Sequence, residues 1–285
     1  MQLIAVWQEL RPLQWVKNGF VLLPLFFSGK ATETDAVVQA VIAALLFSAI
    51  ASGLYIWNDL FDREEDRRHP VKRLRPIASG RLPVAIANVA ALLLIAGSLS
   101  AGFVLNPSFG WILTVYATMT VLYSLKLKQI ILFDTLIIAL GFLLRVLAGG
   151  IMINVAISEW LFITVAFLAL FLAVLKRHAE FTYQAQPDQR RVLGAYTKDI
   201  LHQMIGVGLT GTIVSYSLYT FSRPSHELTR WSILIAMYAM FRYLFVAFRS
   251  GKASEPERFV VTDKPLMLSL AILALFLGLV LYGWS

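Results

Sequence analysis

The chain has 285 residues, of which 58% are apolar and 15% charged, and its mean hydropathy is +0.71. Soluble domains carry roughly a quarter charged residues, so these values exclude an ordinary soluble globule and point to an all-α, polytopic membrane protein. Cysteine is absent, which excludes disulfides, thiol catalysis and cysteine metal sites, and the net charge of +8 suggests a nucleic-acid partner only until its distribution is read.

A spanning helix needs about 20 mainly apolar residues, because lipid gives an open backbone no hydrogen bonds. Nine windows meet or approach that requirement: 15–28, 36–57, 84–105, 107–124, 132–153, 158–175, 203–221, 229–248 and 265–284. They leave no stretch for a separate soluble domain, so a single transmembrane domain is expected over residues 1–285. The first window is short and carries Pro24. No small-residue cleavage site follows it, and it is read as a retained span.

Most of the 25 Lys and Arg fall in alternate connections. Arg11 and Lys17 precede the first span, and Arg63, Arg67, Arg68, Lys72, Arg73, Arg75 and Arg81 follow the second. Lys126 and Lys128 follow the fourth, Lys176, Arg177, Arg190, Arg191 and Lys198 the sixth, and Arg249, Lys252, Arg258 and Lys264 the eighth. The opposite side holds Lys30, Arg223 and Arg230, with Arg145 and Arg242 inside spans. The positive-inside rule places the N-terminus in the cytoplasm and the C-terminus outside. The basic excess is thus a topology signal first, and a reserve of anion ligands second.

Chemistry-bearing residues gather at the end of the second span, in Asn58-Asp59-Leu60-Phe61-Asp62-Arg63-Glu64-Glu65-Asp66. Asn58, Asp62 and Asp66 recur every four residues, and Asp59 shares their helix face. Such an oxygen-only cluster repels itself unless a hard cation neutralises it, and Mg²⁺ typically takes one or two carboxylates together with water and phosphate. Glu64 and Glu65 read instead as a solvated helix end, for instance with Glu64 paired to Arg68. The basic loop that follows, Arg67 to Gly80, is broken by Pro70 and Pro76. It suits the remaining oxygens of a metal-bridged diphosphate, although a cytoplasmic loop is basic in any case. Lys72 and Arg75 are the favoured ligands there, and His69 is as well suited to supporting a turn.

Tyr123, Lys126 and Lys128 form a second polar stretch, and Asp134 opens the fifth span. Arg145 lies about 16 Å deeper and about 20° away in azimuth on the same helix. An arginine at that depth must face protein or a wet cavity, either as one member of a buried pair or as a ligand for the anionic head of a lipid. Lys17, Lys176 and Arg177 stand at span ends, where interfacial anchoring is the common role.

Asn58-Asp59-x-x-Asp62-x-x-x-Asp66 at the end of a second helix resembles the first motif of the UbiA superfamily of membrane prenyltransferases. The resemblance narrows with Arg11-Pro12-x-Gln14-Trp15-Val16-Lys17-Asn18 and Asp66-Arg67-x-His69-Pro70-x-Lys72-x-x-Arg75-Pro76-Ile77-Ala78-x-Gly80. It continues through Tyr123-Ser124-x-x-Leu127-Lys128, Asp134, Leu144-Arg145-x-x-Ala148-Gly149-Gly150, Lys176-Arg177-x-Ala179-Glu180 and Tyr196-Thr197. These residues are similar to the decaprenyl-phosphate phosphoribosyltransferase branch. The wider superfamily commonly has a second acidic residue four positions after the first in its second motif, whereas Ile138 stands there in this chain.

The resemblance implies nine helices bundled around a central cleft, in the inner (plasma) membrane, with the active site on the cytoplasmic side. It implies transfer of 5-phosphoribose from phosphoribosyl pyrophosphate to a polyprenyl phosphate, making a cell-wall precursor. Asn58, Asp62 and Asp66 would hold Mg²⁺, or Mn²⁺ in its place, with Asp59 supporting them. Arg67, Lys72, Arg75, Tyr123, Lys126, Lys128, Lys176 and Arg177 would contact substrate phosphates. Lys17, Asn18 and Arg145 would hold the lipid phosphate or the donor, and Asp134 a ribose hydroxyl or a second metal. Homo-oligomerisation stays open, and no nucleic acid is involved. Two other readings compete. One is an aromatic-acceptor prenyltransferase of the same fold, disfavoured by the single acid of the second motif. The other is an anionic-metabolite transporter, disfavoured because the polar residues crowd one membrane face rather than the midplane.

Overall fold

The computed structural model describes residues 2–183, 191–222, 224–250, 260 and 262–283. Four of the cations used to read topology, Arg190, Arg223, Lys252 and Arg258, lie outside the described residues. Among the described residues the secondary structure is helical, with no strand. The α-helices are α1 (Gln2–Glu9), α2 (Leu23–Phe27), α3 (Thr34–Phe61), α4 (Arg63–Arg68), α5 (Val84–Leu105), α6 (Pro107–Leu125), α7 (Phe133–Met152), α8 (Glu159–Tyr183), α9 (Lys198–Phe221), α10 (Ser232–Ser250) and α11 (Lys264–Tyr282).

Eight helices among the described residues are long and apolar enough to cross a membrane, and they coincide with eight of the nine expected windows. The first window is the exception. It forms an 11-residue 3-10 helix, Pro12–Leu22, followed by the five-residue α2. Proline explains the change locally. Leu23 N–H bonds to Phe20 O, three residues back, and Pro24 has no N–H to restore the four-residue spacing. At about 2.0 Å per residue the 3-10 segment alone extends roughly 22 Å.

The chain divides into two compact units. The first comprises residues 1–25, 30–125 and 144–155. Its core joins Val21, Ala43, Phe47, Ile50, Leu54, Phe109, Leu113, Tyr116 and Ala148. The 3-10 segment packs so closely on the second half of α7 that a Cβ on Gly149 would lie 1.9 Å from Val21 O, so only glycine fits there. A second cluster, Ala5, Ile56, Ile77, Leu82, Ala87 and Ala91, gathers α1, the end of α3, the loop after α4 and the start of α5.

The second unit comprises residues 26–29, 126–143 and 156–285. Here α8 and α9 pack along their length. Phe171, Val174, Leu175, Leu201, Ile205 and Tyr243 form the core, and Gly208 lets α9 approach the backbone of Phe171. Arg242, the second arginine expected inside a span, makes a two-pronged pair with Asp263, its Nε and Nη2 lying 3.0 and 2.8 Å from the two oxygens. Asp263 also caps α11 by accepting from Leu266 N.

Candidate active site

The expected acidic stripe spans a helix junction. α3 ends at Phe61, Asp62 takes φ −84° and ψ 5°, and α4 begins at Arg63. Backbone bonds from Asp62 N to Asn58 O and from Asp66 N to Asp62 O carry the four-residue spacing through the junction, at 2.9 and 2.8 Å. The four side chains nevertheless separate into two pairs. Asn58 Nδ2 donates to Asp62 Oδ2 at 3.0 Å, and both line a pocket of about 70 Å³ with Thr120, Ser124 and Trp57. Asp59 and Asp66, each only 1% exposed, turn instead toward the basic loop.

Arg75 joins that second pair. Its Nη1 lies 2.9 Å from Asp59 Oδ1 and 2.6 Å from Asp66 Oδ2, and Lys72 Nζ stands 3.8 Å from Asp66 Oδ1. Arg11 takes the other oxygen of Asp59 and lies over the Tyr55 ring. Burial pushes the Asp66 carboxyl above its ordinary pKa even with Arg75 against it. Glu9 completes the cluster. Its Oε1 accepts from Ile77 N at 2.9 Å, and burial, reinforced by the Asp59 charge, raises its pKa to about 7. Sequence reading gave Glu9 no role, and Arg11 only a place in a motif and at a span end.

The rest of the basic loop supports its own conformation. His69 Nδ1 accepts from Val71 N and Lys72 N, both at 3.2 Å, which is the turn-supporting role. Arg67 Nε donates to Ala78 O at 3.1 Å, and its Nη1 pairs with Glu64. Glu64 therefore meets Arg67, three residues on, and not Arg68.

Arg145 and Asn18 lie together in the core of the first unit. Arg145 Nε donates to Asn18 Oδ1 at 2.8 Å and Nη2 to Tyr116 OH at 3.0 Å. Its guanidinium carbon sits 4.9 Å from the centroids of both Phe47 and Tyr116, and Asn18 Nδ2 donates onward to Ser48 Oγ. Lys17, one residue earlier on the 3-10 segment, donates to Gln14. Tyr123 is half-buried near the end of α6.

In the second unit, Asp134 and Arg177 are both fully buried. Arg177 Nε stands 2.9 Å from Asp134 Oδ2, off the line of a proper hydrogen bond, and Arg177 also pairs with Glu180. Tyr196 OH donates to Asp134 Oδ1 at 2.9 Å and accepts from Leu132 N at 3.0 Å. Burial, aided by the Asp134 carboxylate, pushes the Tyr196 phenol up to about 12. Leu132 has φ +68°, a backbone conformation that non-glycine residues avoid unless neighbours hold it, and the Tyr196 hydroxyl is one such hold. Lys126 and Lys128 flank a short 3-10 turn, exposed and half-buried respectively, and Lys176 is half-buried.

A membrane-spanning helical chain with a carboxylate-rich helix end against a basic loop is built to handle phosphorylated substrates at a lipid boundary. The profile of the UbiA prenyltransferase family matches residues 20–262, and the chain belongs to that family. Its fold agrees with that of a UbiA homolog from Archaeoglobus fulgidus bound to DMAPP and Mg²⁺, at a TM-score of 0.66 over the whole of both chains and 17% identity. It agrees equally with a digeranylgeranylglyceryl phosphate synthase structure, at 0.68 and 17% identity over 99% of this chain and all of that one. Among curated proteins, the decaprenyl-phosphate phosphoribosyltransferase of Mycobacterium tuberculosis is 32% identical over 98% of this chain and 95% of its own length. The protein of that name from Corynebacterium glutamicum is 33% identical over 91% and 81%.

Proposed function

We propose that this protein transfers 5-phosphoribose from phosphoribosyl pyrophosphate to a polyprenyl phosphate, releasing pyrophosphate, in a Mg²⁺-dependent reaction at the cytoplasmic face of the inner membrane. The observation that carries the reading is the convergence of Arg75 and Lys72 on the motif carboxylates Asp59 and Asp66, a phosphate-binding loop held against oxygen ligands. The full-length similarity to decaprenyl-phosphate phosphoribosyltransferases selects the donor and the acceptor.

The acceptor is a phosphate monoester, whose second pKa of about 6 leaves its oxygen ionised at neutral pH. That oxygen attacks the anomeric carbon of the ribose and forms the new C–O bond. The bond to pyrophosphate breaks, and the leaving group keeps the electron pair. No proton has to be removed, so the step needs no general base. The chain's task is to hold two anions together and to neutralise the departing one. Lys72 and Arg75 serve the donor phosphates, with Tyr123 as a further phosphate contact and Lys17 as a ligand for the lipid phosphate.

Asn58 and Asp62 suit a magnesium ion. Their donors are oxygens, the Asn58 amide directs its nitrogen to Asp62 and keeps its oxygen for a ligand, and the pocket beside them has room for several waters. Asp66 would join them on release from Arg75. When bound, Mg²⁺ stabilises the charge that builds on the leaving pyrophosphate. Asp134 is best assigned to anchoring Arg177, since one of its oxygens accepts from Tyr196 and the other stands beside the guanidinium.

Purified protein incubated with labelled phosphoribosyl pyrophosphate, polyprenyl phosphate and Mg²⁺, then extracted into organic solvent, tests the reading. Label in the organic phase supports it. Product from a prenyl diphosphate and an aromatic acceptor, with none from phosphoribosyl pyrophosphate, would replace it with the aromatic prenyltransferase reading. Uptake into vesicles without transfer would replace it with transport.

A further inference from the structure

Residues 8–11 close α1 and open the 3-10 segment, and each of the four is fastened at a different point. Gln8 Oε1 accepts from Arg81 Nη1 at 3.1 Å, and Glu9 Oε1 accepts from Ile77 N at 2.9 Å. Leu10 O accepts from Ser52 Oγ at 2.8 Å, and Arg11 pairs with Asp59. The first two residues hold the basic loop and the next two hold α3. We propose that this strap is a positioning device for the donor site, and that Glu9 is its positioning residue, acting through Arg75 and Asp59.

The need for such a device follows from the loop. Between α4 and α5 it contains Pro70, Pro76 and a left-handed Gly80 at φ +77°. Its backbone bonds close on the loop itself, as from Ser79 N to Arg75 O and from Leu82 N to Pro76 O. Arg75, however, must place one nitrogen within 2.9 Å of Asp59 and 2.6 Å of Asp66 at once. The Ile77 amide is the first N–H after Pro76 and lies in the core, where an N–H without an acceptor is costly. Glu9 supplies that acceptor from outside the loop. It is 1% exposed, and its side chain also meets the Asp59 carboxyl. One residue on from Leu10, Arg11 holds φ 53° directly before Pro12, a strained backbone for a non-glycine residue that neighbouring contacts must maintain. Strap, loop and acidic helix end therefore form one closed circuit: Glu9 to Ile77, Arg75 to Asp59, and Asp59 to Arg11.

The consequence for the reaction rests on the phosphoribosyl pyrophosphate reading, so the test has one readout that uses the reaction and one that does not. Glu9→Gln keeps an oxygen for the Ile77 amide and can donate to Asp59, whereas Glu9→Ala keeps neither. In steady-state kinetics Glu9→Ala is expected to raise the KM for phosphoribosyl pyrophosphate about tenfold, with kcat and the polyprenyl phosphate KM within about twofold. Glu9→Gln is expected to stay within about threefold of the natural protein in all three, because the buried amide keeps its acceptor. In hydrogen exchange without substrates, the amides of 77–82 lose protection in Glu9→Ala and keep it in Glu9→Gln. A fall in kcat alone, Glu9→Gln as impaired as Glu9→Ala, or unchanged exchange over 77–82 would each overturn the proposal. If Glu9→Ala does not fold, Gln8→Ala removes the outer anchor and is expected to raise the donor KM by about threefold, and an unchanged donor KM overturns the proposal. If the natural protein transfers no phosphoribose, the functional reading fails while the exchange comparison still decides the strap.

Discussion

Replacing Arg145 with Met keeps most of the side-chain volume and removes both the charge and the hydrogen bonds. The variant leaves Asn18 Oδ1 and Tyr116 OH without the donors they have now, inside a cluster of Val21, Phe47, Phe109 and Leu113. Each orphaned buried group costs roughly 1–3 kcal/mol, and losing a desolvated guanidinium beside two aromatic rings up to about 2 kcal/mol. The sum is about 4 kcal/mol once partial relaxation is allowed for, and chains of this size lose about 2–4 °C per kcal/mol, giving a fall of roughly 10 °C in melting temperature. The assay is thermal unfolding of the detergent-purified protein followed by intrinsic fluorescence, alongside the KM for polyprenyl phosphate. A packing post predicts a large fall in Tm with a modest effect on the acceptor KM in the surviving folded fraction. A variant that melts within about 2 °C of the natural protein, a shift of at most about 1 kcal/mol, while losing acceptor affinity would refute this reasoning and make Arg145 a ligand for the lipid phosphate.

Asp62→Ala is expected to reduce turnover at least a hundredfold at saturating Mg²⁺ with melting near that of the natural protein, because Asp62 is half-buried and its hydrogen-bond partner is the neighbouring Asn58; activity and Tm measured together check it. Asp59→Ala, by contrast, is expected to lower Tm, since it strands Arg11 and leaves Arg75 with Asp66 alone, and breaking a buried pair costs roughly 3–5 kcal/mol. Exhaustive chelation is expected to stop transfer, and Mg²⁺ or Mn²⁺ to restore it, because the candidate ligands are oxygens; undiminished turnover in the chelated protein would exclude the metal assignment. Tyr196→Phe leaves Asp134 Oδ1 and the strained Leu132 amide without their shared hydroxyl, and a loss of about 1–3 kcal/mol in thermal stability is expected.

The long spans were legible because a bilayer-length apolar run has few alternatives, and eight windows reappear as helices. The carboxylate-rich helix end was legible as a group, but its division was overlooked. At 100° per residue Asp59 and Asp66 lie about 20° apart and Asn58 and Asp62 about 40° apart, two adjacent stripes that can face different partners. What no local pattern reveals is which distant residue answers each side chain. Arg11 and Asp59 are 48 residues apart, Glu9 and Ile77 68, and Arg145 and Asn18 127. Depth alone told that Arg145 must face protein or water, and tertiary packing decided that it faces an asparagine and two aromatic rings. The first window misled by its apolar content, since Pro24 and the tight turn before it change the helix type without changing the composition.

The 3-10 segment from Pro12 to Leu22 has a cross-section unlike that of the eight long helices. At three residues per turn its side chains stack in straight edges, as on a triangular prism. Leu13, Val16 and Gly19 form one exposed edge, Asn18 and Val21 lie on a buried edge that continues into Pro24, and Gln14 and Lys17 stand one above the other on the third. An α-helix blurs such edges by drifting with each turn, whereas this rod keeps them aligned. Lengthening it by a single residue before Asn18 would turn the lysine and asparagine edges by about 120°, taking Asn18 away from Arg145 in one step. Three added residues would restore every edge and leave an axial shift of about 6 Å. A length change in this rod thus acts first as a rotation in steps of a third of a turn, a rule imposed by its shape on a stretch whose sequence reads as ordinary apolar chain.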